Sequence, residues 1–367
     1  MNITVSQKEL SNALAISNRA VGVNNTLPIL NNVLLKAEGK KLYFTTTNLE
    51  IAVTCSIDAD IKNEGEITIP SKILSNYVNY LKDEKVDIIV ESGDAILIKT
   101  NDSKIKIKGM KSVDFPSIPV VEKISEINVS LKELKTSIHQ VVFAASLNTT
   151  RPILSGVYFT LTDGKLKMVT TDSYRLAEKL VSTKNVDGEI NYIVPAKTVI
   201  ELGYILDTLS EDKEASLIFS KNQILFSVDD IRFTSRLIEG QFPNYKQIIP
   251  DTNKTTIEFN VQSLVLALKK INIFAKENNN KIIIKTSSNN VSITTDATQF
   301  GEGQVDIITA VNGDECEIAL NSQYILDLLS NIGARDVMFK IGDKTSPVVI
   351  KEKGVENYLH IIMPLKI

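Results

Sequence analysis

Tryptophan is absent from this chain of 367 residues, and cysteine and histidine occur twice each. Each scarcity removes a class of function. Cys55 and Cys316 lie far apart in sequence, so no disulfide framework is expected and a reducing cytoplasm is the natural setting. His139 and His360 stand in no HExxH, Cys-His or triad-like arrangement, which leaves metal-assisted and nucleophilic catalysis without their usual parts. No G-x-x-x-x-G-K-[ST] or G-x-G-x-x-G phosphate loop occurs, and the aromatics show no spacing suited to base stacking. No apolar run reaches the roughly 18 residues of a membrane span. The start, MNITVSQKEL, has neither the basic nor the apolar region of a signal peptide. The chain is therefore expected to be a non-enzyme with no cofactor, no metal and no membrane association.

What is present is a repeat. Residues 151–177, RPILSGVYFTLTDGKLKMVTTDSYRLA, alternate apolar and polar residues on both sides of Asp163-Gly164, which predicts strand, tight turn and strand. The pattern occurs earlier at 27–53, with Glu38-Gly39 at the turn, and later at 281–300, with Asn289-Asn290 there. Asn48, Asp172 and Asp296 each follow a Thr-Thr pair and are spaced 124 residues apart. Val5-Ser6 and Val129-Ser130 keep the same interval, and Phe115-Pro116 and Phe242-Pro243 nearly so. Each copy, at about 120 residues, is long enough to bury its own core.

The copies share further signals. Ser6-x-x-Glu9 and Ser130-x-x-Glu133 read as capping boxes ahead of helically spaced apolar residues, and copy three begins at Asn260 without one. A second helix is expected after the strands, near 71–82, 196–209 and 321–332. The predicted fold class is α+β, three repeated domains per chain, with boundaries at 1–122, 123–251 and 252–367.

The net charge of −3 argues against binding a polyanion until it is divided. The six expected helices carry ten basic and six acidic residues, so the remainder of the chain is the acidic part. Lysine on exposed helix faces serves solubility alone, or those faces meet phosphates. Asp172 beside Thr170 and Thr171 resembles a catalytic carboxylate. Because Asn48 and Asp296 hold its place in the other copies, a turn-forming role is expected. Function is then sought where the copies differ: Ser173-Tyr174-Arg175-Leu176, the segment Gly240–Pro250, and the ending LHIIMPLKI.

TLPIL (26–30), TRPIL (150–154), TTDSYRLA (170–177), EGQFPNY (239–245) and the MPLKI ending together resemble the beta subunit family of DNA polymerase III, the bacterial sliding clamps. The resemblance covers the whole chain. It implies a head-to-tail homodimeric ring of six similar domains, with helices lining a hole for duplex DNA and antiparallel sheets outside. Such a clamp performs no chemistry. It tethers the polymerase, binds DNA without regard to sequence, and has as partners a second copy of itself, the polymerase III alpha subunit, a clamp loader, and repair and replication proteins carrying clamp-binding motifs. By the resemblance Lys72 and Lys197 face DNA, and helix placement adds Arg19 and Lys132. Asn24 stands where relatives carry a basic residue. Ile105 and Ile107 are expected on one side of the dimer contact, and Ile273 and Phe274 on the other. The partner-peptide pocket is expected from Leu154, Thr171, Tyr174, Arg175, Leu176, Pro243, Ile248, Pro347, Ile361, Met363, Pro364 and Leu365, with Arg175 holding a peptide carbonyl or carboxylate at the rim. Ser173-Tyr174 replaces the Gly-His of some relatives, and Gln247 a frequent basic residue, so motif preference is expected to differ. A three-domain binding scaffold that forms no ring would show the same repeats.

Overall fold

The computed structural model describes residues 1–22, 27–82, 84–91, 94–148 and 150–367, so Asn24 lies outside the described residues. Copy one comprises β1 (Asn2–Ser6), α1 (Gln7–Ser17), β2 (Asn32–Glu38), β3 (Lys41–Thr47), β4 (Ile51–Asp58), β5 (Asp60–Asn63), β6 (Gly65–Pro70), α2 (Ser71–Tyr80), β7 (Lys85–Glu91), β8 (Ala95–Lys99) and β9 (Lys104–Lys108). Copy two follows as β10 (Ser125–Ser130), α3 (Leu131–Val142), β11 (Gly156–Thr162), β12 (Lys165–Thr171), β13 (Arg175–Asp187), β14 (Asn191–Pro195), α4 (Ala196–Leu206), β15 (Glu214–Phe219), β16 (Gln223–Val228) and β17 (Ile231–Arg236). Copy three is β18 (Thr255–Asn260), α5 (Val261–Ala275), β19 (Lys281–Ser287), β20 (Asn290–Thr294), β21 (Gln304–Ile308), β22 (Val311–Gly313), β23 (Glu317–Asn321), α6 (Ser322–Ser330), β24 (Asp336–Ile341), β25 (Val348–Glu352) and β26 (Tyr358–Ile362). This is the mixed α and β composition expected, with two helices in each copy.

The local signals act as read, with instructive exceptions. Asp163 and Gly164 both take positive φ, 50° and 69°, the primed turn that matches strand twist. The other two hairpins turn one residue away from the expected pairs: Glu38 pairs with Lys41, so the turn is Gly39-Lys40, and Ser287 pairs with Asn290, so it is Ser288-Asn289. Ser6 caps α1, accepting from the Glu9 amide. In the second box the Glu133 carboxylate accepts from the Ser182 amide at 2.8 Å. Asn260 takes over the cap of α5, accepting from the Ser263 amide at 3.2 Å.

The chain divides into two compact units that do not coincide with the copies. One holds residues 1–132, 183–189 and 201–237; the other holds 133–182, 190–200 and 238–367. In the first, a small sheet runs β5-β1-β7-β8-β9, and a larger one runs β6-β2-β3-β4-β17-β16-β15-β10. In the second, the larger sheet runs β14-β11-β12-β13-β26-β25-β24-β18-β22 and the small one β21-β20-β19-β23. Each unit thus contains one strand pairing between copies: β4 with β17, and β13 with β26, both antiparallel. Helices cover the sheets with their apolar stripes, Leu10 and Leu14 of α1 or Leu264, Leu268 and Ile271 of α5, all buried. Full burial of such a side chain stabilises by about 1.5–3 kcal/mol.

Each copy is also pinned at its exit. Thr68 bridges to Met110, Ile193 to Ile238, and Ala319 to Leu365, the same position in all three. In the first two copies the chain continues from that bridge into the next copy, and in the third the bridge is made by the final residues.

Candidate partner-peptide pocket and DNA-facing residues

Directly paired residues of antiparallel strands share a sheet face. The pairings Thr171 with Leu176, Leu176 with Ile361, and Ile361 with Val349 therefore set four side chains in one row across β12, β13, β26 and β25. Leu176, Ile361 and Val349 belong to a buried cluster with Val169, Ile193, Phe242 and Tyr245. The last two come from the segment after Gly240, which folds onto this face. Phe242 stacks on Tyr158 at 4.8 Å, and Tyr245 donates to Glu178 at 2.5 Å. Glu178 in turn lies 3.3 Å from Lys167 Nζ. Burial and the Glu178 carboxylate raise the Tyr245 phenol, so it stays a proton donor. Gly240 has φ 136°, and a Cβ there would come within 2.8 Å of Ile153 Cδ1, which explains the glycine opening this segment.

The rim is a turn held by Asp172. Its Oδ1 accepts from the amides of Tyr174 and Arg175, both at 2.9 Å. Asn48 does the same for Glu50 and Ile51, at 3.0 and 2.8 Å. The expected turn role therefore holds in two copies and fails in the third, where Asp296 meets Asn278 and Lys281 instead. Ser173 takes φ 80°, and Leu49 at the equivalent place takes 75°. This strain belongs to the repeated turn and marks no special function.

Arg175, expected to hold a peptide group at the rim, turns most of its donors into the fold. Its guanidinium donates to Asp172 Oδ2 at 3.0 Å, to Asp327 Oδ2 at 2.6 Å and to the Phe143 carbonyl at 2.8 Å. It also lies 4.5 Å from the centre of the Tyr324 ring. With most of its donors engaged inside the fold, it acts as a strut that fixes the turn to α6 and to the end of α3. Asp327, Tyr324 and Phe143 were invisible to the sequence reading, because no local pattern links residues so far apart.

The chain end forms another wall. The Met363 amide donates to the Tyr174 carbonyl and the Leu365 amide to the Ala319 carbonyl, each at 2.8 Å. Met363, Pro364 and Leu365 are half-buried, as is Pro347 just before β25, while Tyr174, Pro243 and Ile248 are exposed. Leu176 and Ile361 have no exposed surface, and Leu154 and Thr171 almost none. These four lie beneath the surface formed by the others.

The matching junction in copy one shows what is particular to this site. Leu176 corresponds to Ala52, Ile361 to Thr234, Met363 to Arg236 and Tyr174 to Glu50. The cavity there measures about 130 Å³ and has a smaller, more polar floor. Larger clefts of about 900 Å³ around Lys8, Lys40, Lys82 and Lys85, and of about 470 Å³ around Lys285, Cys316 and Lys344, are lined mainly by charged and polar side chains. Neither offers an apolar slot for a leucine or phenylalanine anchor.

Directly behind the pocket, His360 is wholly buried and packs 5.5 Å from Phe143, with no hydrogen-bond partner for either ring nitrogen. Burial, with the nearby Arg175 charge, pushes its pKa down to about 3. The unfolded chain takes up the proton near pH 6.5 and the folded chain only near 3, so stability is lost as pH falls through that window. Relative to a His360→Leu variant, the natural chain is expected to lose about 2 kcal/mol between pH 7.5 and pH 5. Urea unfolding at both pH values checks this; parallel curves for the two proteins refute it.

The expected DNA residues share a position. Lys72, Lys132 and Lys197 are each the exposed second residue of their helix, α2, α3 and α4. Lys8 holds the same place in α1 and was missed, although the interval of 124 residues already matched it to Lys132. A cation at a helix N-terminus opposes the helix dipole by about 0.3–1 kcal/mol. Lys8, Lys72 and Lys197 repeat that penalty, which favours an outside anion. Arg19 differs: it lies 3.6 Å from Glu201 and over the Tyr204 ring at 4.5 Å, so its charge is already offset.

Of the expected dimer residues, Ile273 is 71% exposed, whereas Ile107 is only 6% exposed and packs into its own copy. Ile105 is half-buried on the edge strand β9. Phe274 covers Gly301 and Gly303, where a Cβ would sit 3.4 and 3.1 Å from its ring.

Three copies of one α+β unit, joined edge to edge, define the DNA-clamp class. Among solved structures, a sliding clamp from Pseudomonas aeruginosa bound to griselimycin superposes with a TM-score of 0.95 at 27% identity, over 100% of each chain. The DNA polymerase III beta subunit from Thermotoga maritima gives 0.94 at 25%, over 100% of this chain and 99% of that one. The beta sliding clamps of Synechocystis sp. and Synechococcus elongatus are 27% and 28% identical, each over 100% of both chains. The N-terminal, central and C-terminal domains of the DNA polymerase III beta subunit match residues 1–119, 128–244 and 246–366. The chain belongs to the DNA polymerase III beta subunit family, the sliding clamps of bacterial replication.

Proposed function

We propose that the chain acts in the cytoplasm as a head-to-tail homodimeric ring that encircles duplex DNA and tethers the polymerase III alpha subunit. One observation carries this reading. The strand after the Thr-Thr-Asx turn of one copy pairs with the last strand of the next: β4 with β17, β13 with β26. By that rule β21 of copy three lacks a partner, and so does β9 of copy one. Both are edge strands of their sheets. A second chain supplies both missing partners at once, by a contact between unlike surfaces that closes after two subunits. The domains of the ring are 1–122, 123–251 and 252–367. A scaffold that formed no ring would leave two five-residue edges unpaired.

Such a ring needs no catalytic group. Its grip on DNA is topological, aided by phosphate contacts from Lys8, Lys72, Lys132 and Lys197 that ignore sequence. The pocket formed by Tyr174, Pro243, Ile248, Pro347 and Met363–Leu365 takes short linear motifs from polymerase, clamp loader and repair proteins. A preformed apolar slot suits an extended peptide, whose ordering already costs free energy. The test of the ring is its solution mass together with retention on circular but not linear DNA. A monomeric mass, or equal retention on both, overturns the reading.

The lysines give a separate prediction. Lys72→Glu with Lys197→Glu should weaken contact with every DNA sequence alike and flatten its salt dependence by about two counterions. Titrations at several salt concentrations on two unrelated duplexes check it, and a loss confined to one sequence would mean base readout.

A further inference from the structure

Register lets the two junctions between copies be compared residue by residue on the helix-covered face. At the first junction the corresponding positions are Ile16, Cys55, Val228, Ile231 and Phe233, all apolar and all buried except the half-buried Ile231. At the second the same positions are Gln140, Lys179, Glu352, Tyr358 and His360, all polar or titratable. None of these five is more than 8% exposed. An architecture that accepts an apolar seam once has no packing need for a polar one the second time.

The polar set is directional. Gln140 Nε2 donates to Glu352 Oε1 at 2.9 Å, Tyr358 Oη to the Gln140 carbonyl at 3.0 Å, and Lys179 Nζ to Asn357 Oδ1 at 3.0 Å. All three bonds cross the seam, with Gln140 and Lys179 from copy two and Glu352, Asn357 and Tyr358 from copy three. Burial pushes the Lys179 ammonium down and the Glu352 carboxyl up, and each charge partly relieves the other.

We propose that this network is an address that makes the β13 edge of copy two accept the β25–β26 edge of copy three and reject the similar edges elsewhere in the chain or in a second copy. The need arises from the repeat. Three similar edges compete for three similar receivers, and mispairing between homologous units is a characteristic failure of repeat proteins. Were β13 to receive β17, its own copy's last strand, Gln140 would face Val228, Ile231 and Phe233 with no side-chain acceptor. Were β4 to receive β26, Glu352 would face Cys55 and Ile16 with no side-chain donor. Buried polar groups discriminate in this way because an unpaired one is costly while a paired one is tolerated; the His360 nitrogens and Gln140 Oε1, which have no partner here, take no part in the address.

The test is refolding of the full chain. The variant Gln140→Ile, Lys179→Met, Glu352→Val copies the apolar character of the first junction. After dilution from guanidinium at micromolar concentration, it should give at least about threefold more misassembled and swapped species than the natural chain. A second set covers failure of that variant to fold. Lys179→Glu and Glu352→Lys should each misassemble singly, while the double reversal restores clean refolding. If the apolar variant refolds as cleanly as the natural chain, or the double reversal is no better than the single ones, the address is refuted. Neither arm depends on DNA or peptide binding, so the outcome is independent of the clamp reading.

Discussion

Replacing Ile273 and Phe274 by alanine should yield a folded monomer that no longer stays on circular DNA. Ile273 is among the most exposed large apolar residues, near the end of α5. Phe274 holds the Gly301–Gly303 turn that leads into β21, so its loss loosens the entry to one of the two open edges. Truncating a buried apolar interface residue typically removes about 1–2 kcal/mol or more. A ring of two chains contains the same contact twice, so the losses count twice. The expected sum is at least about 4 kcal/mol, roughly a thousandfold in the dimer dissociation constant. Helix content should change little and thermal unfolding should fall modestly, because Ile273 leaves no internal cavity whereas Phe274 packs on Gly301 and Gly303. Sedimentation at micromolar concentration decides the matter; a double mutant that still runs as a dimer places the interface elsewhere.

Removal of Met363–Ile367 should weaken binding of a polymerase-derived peptide by at least about a hundredfold while leaving ring mass and DNA retention intact. These residues form one wall of the pocket and are held by only two backbone hydrogen bonds, to Tyr174 and Ala319. Their loss should lower stability by about 1–3 kcal/mol, which a folded domain survives. The deletion is a cleaner probe than Leu176→Asp. Leu176 is wholly buried, and a carboxylate there would destabilise the core before it touched a peptide. Fluorescence anisotropy with a labelled peptide reads the effect. Unchanged affinity would move the peptide site away from the chain end.

Much of this architecture was legible because the signals that carry it are local. The Thr-Thr-Asx turns, the Gly-containing hairpin at Asp163-Gly164 and the apolar stripes of α1 and α3 act within a few residues. Repetition at 124 residues gave them a common frame. Long-range partnership was not legible. Nothing near Arg175 announces Asp327, 152 residues away, and nothing near Leu176 says that Ile361 pairs with it and hides it. Turn positions slipped by one residue at Gly39-Lys40 and Ser288-Asn289, because glycine and asparagine mark a turn without fixing its register. Lys8 lies one repeat interval before Lys132, but it lacks the nearby proline that marks Lys72 and Lys197.

The pairing of β4 with β17 has a consequence for synthesis. Thr54 leaves the ribosome 178 residues ahead of its partner Arg232. At ordinary elongation rates that is a wait of roughly 9–36 s. From the emergence of β9 until the end of that interval, copy one, already able to bury its helices, carries a bare strand edge on each side, β4 and β9. A nascent chain released early, or a fragment ending before residue 231, keeps both edges permanently open. Truncations at the first copy boundary should therefore aggregate through strands even though their cores are complete, and chaperone dependence should fall sharply once β17 has emerged.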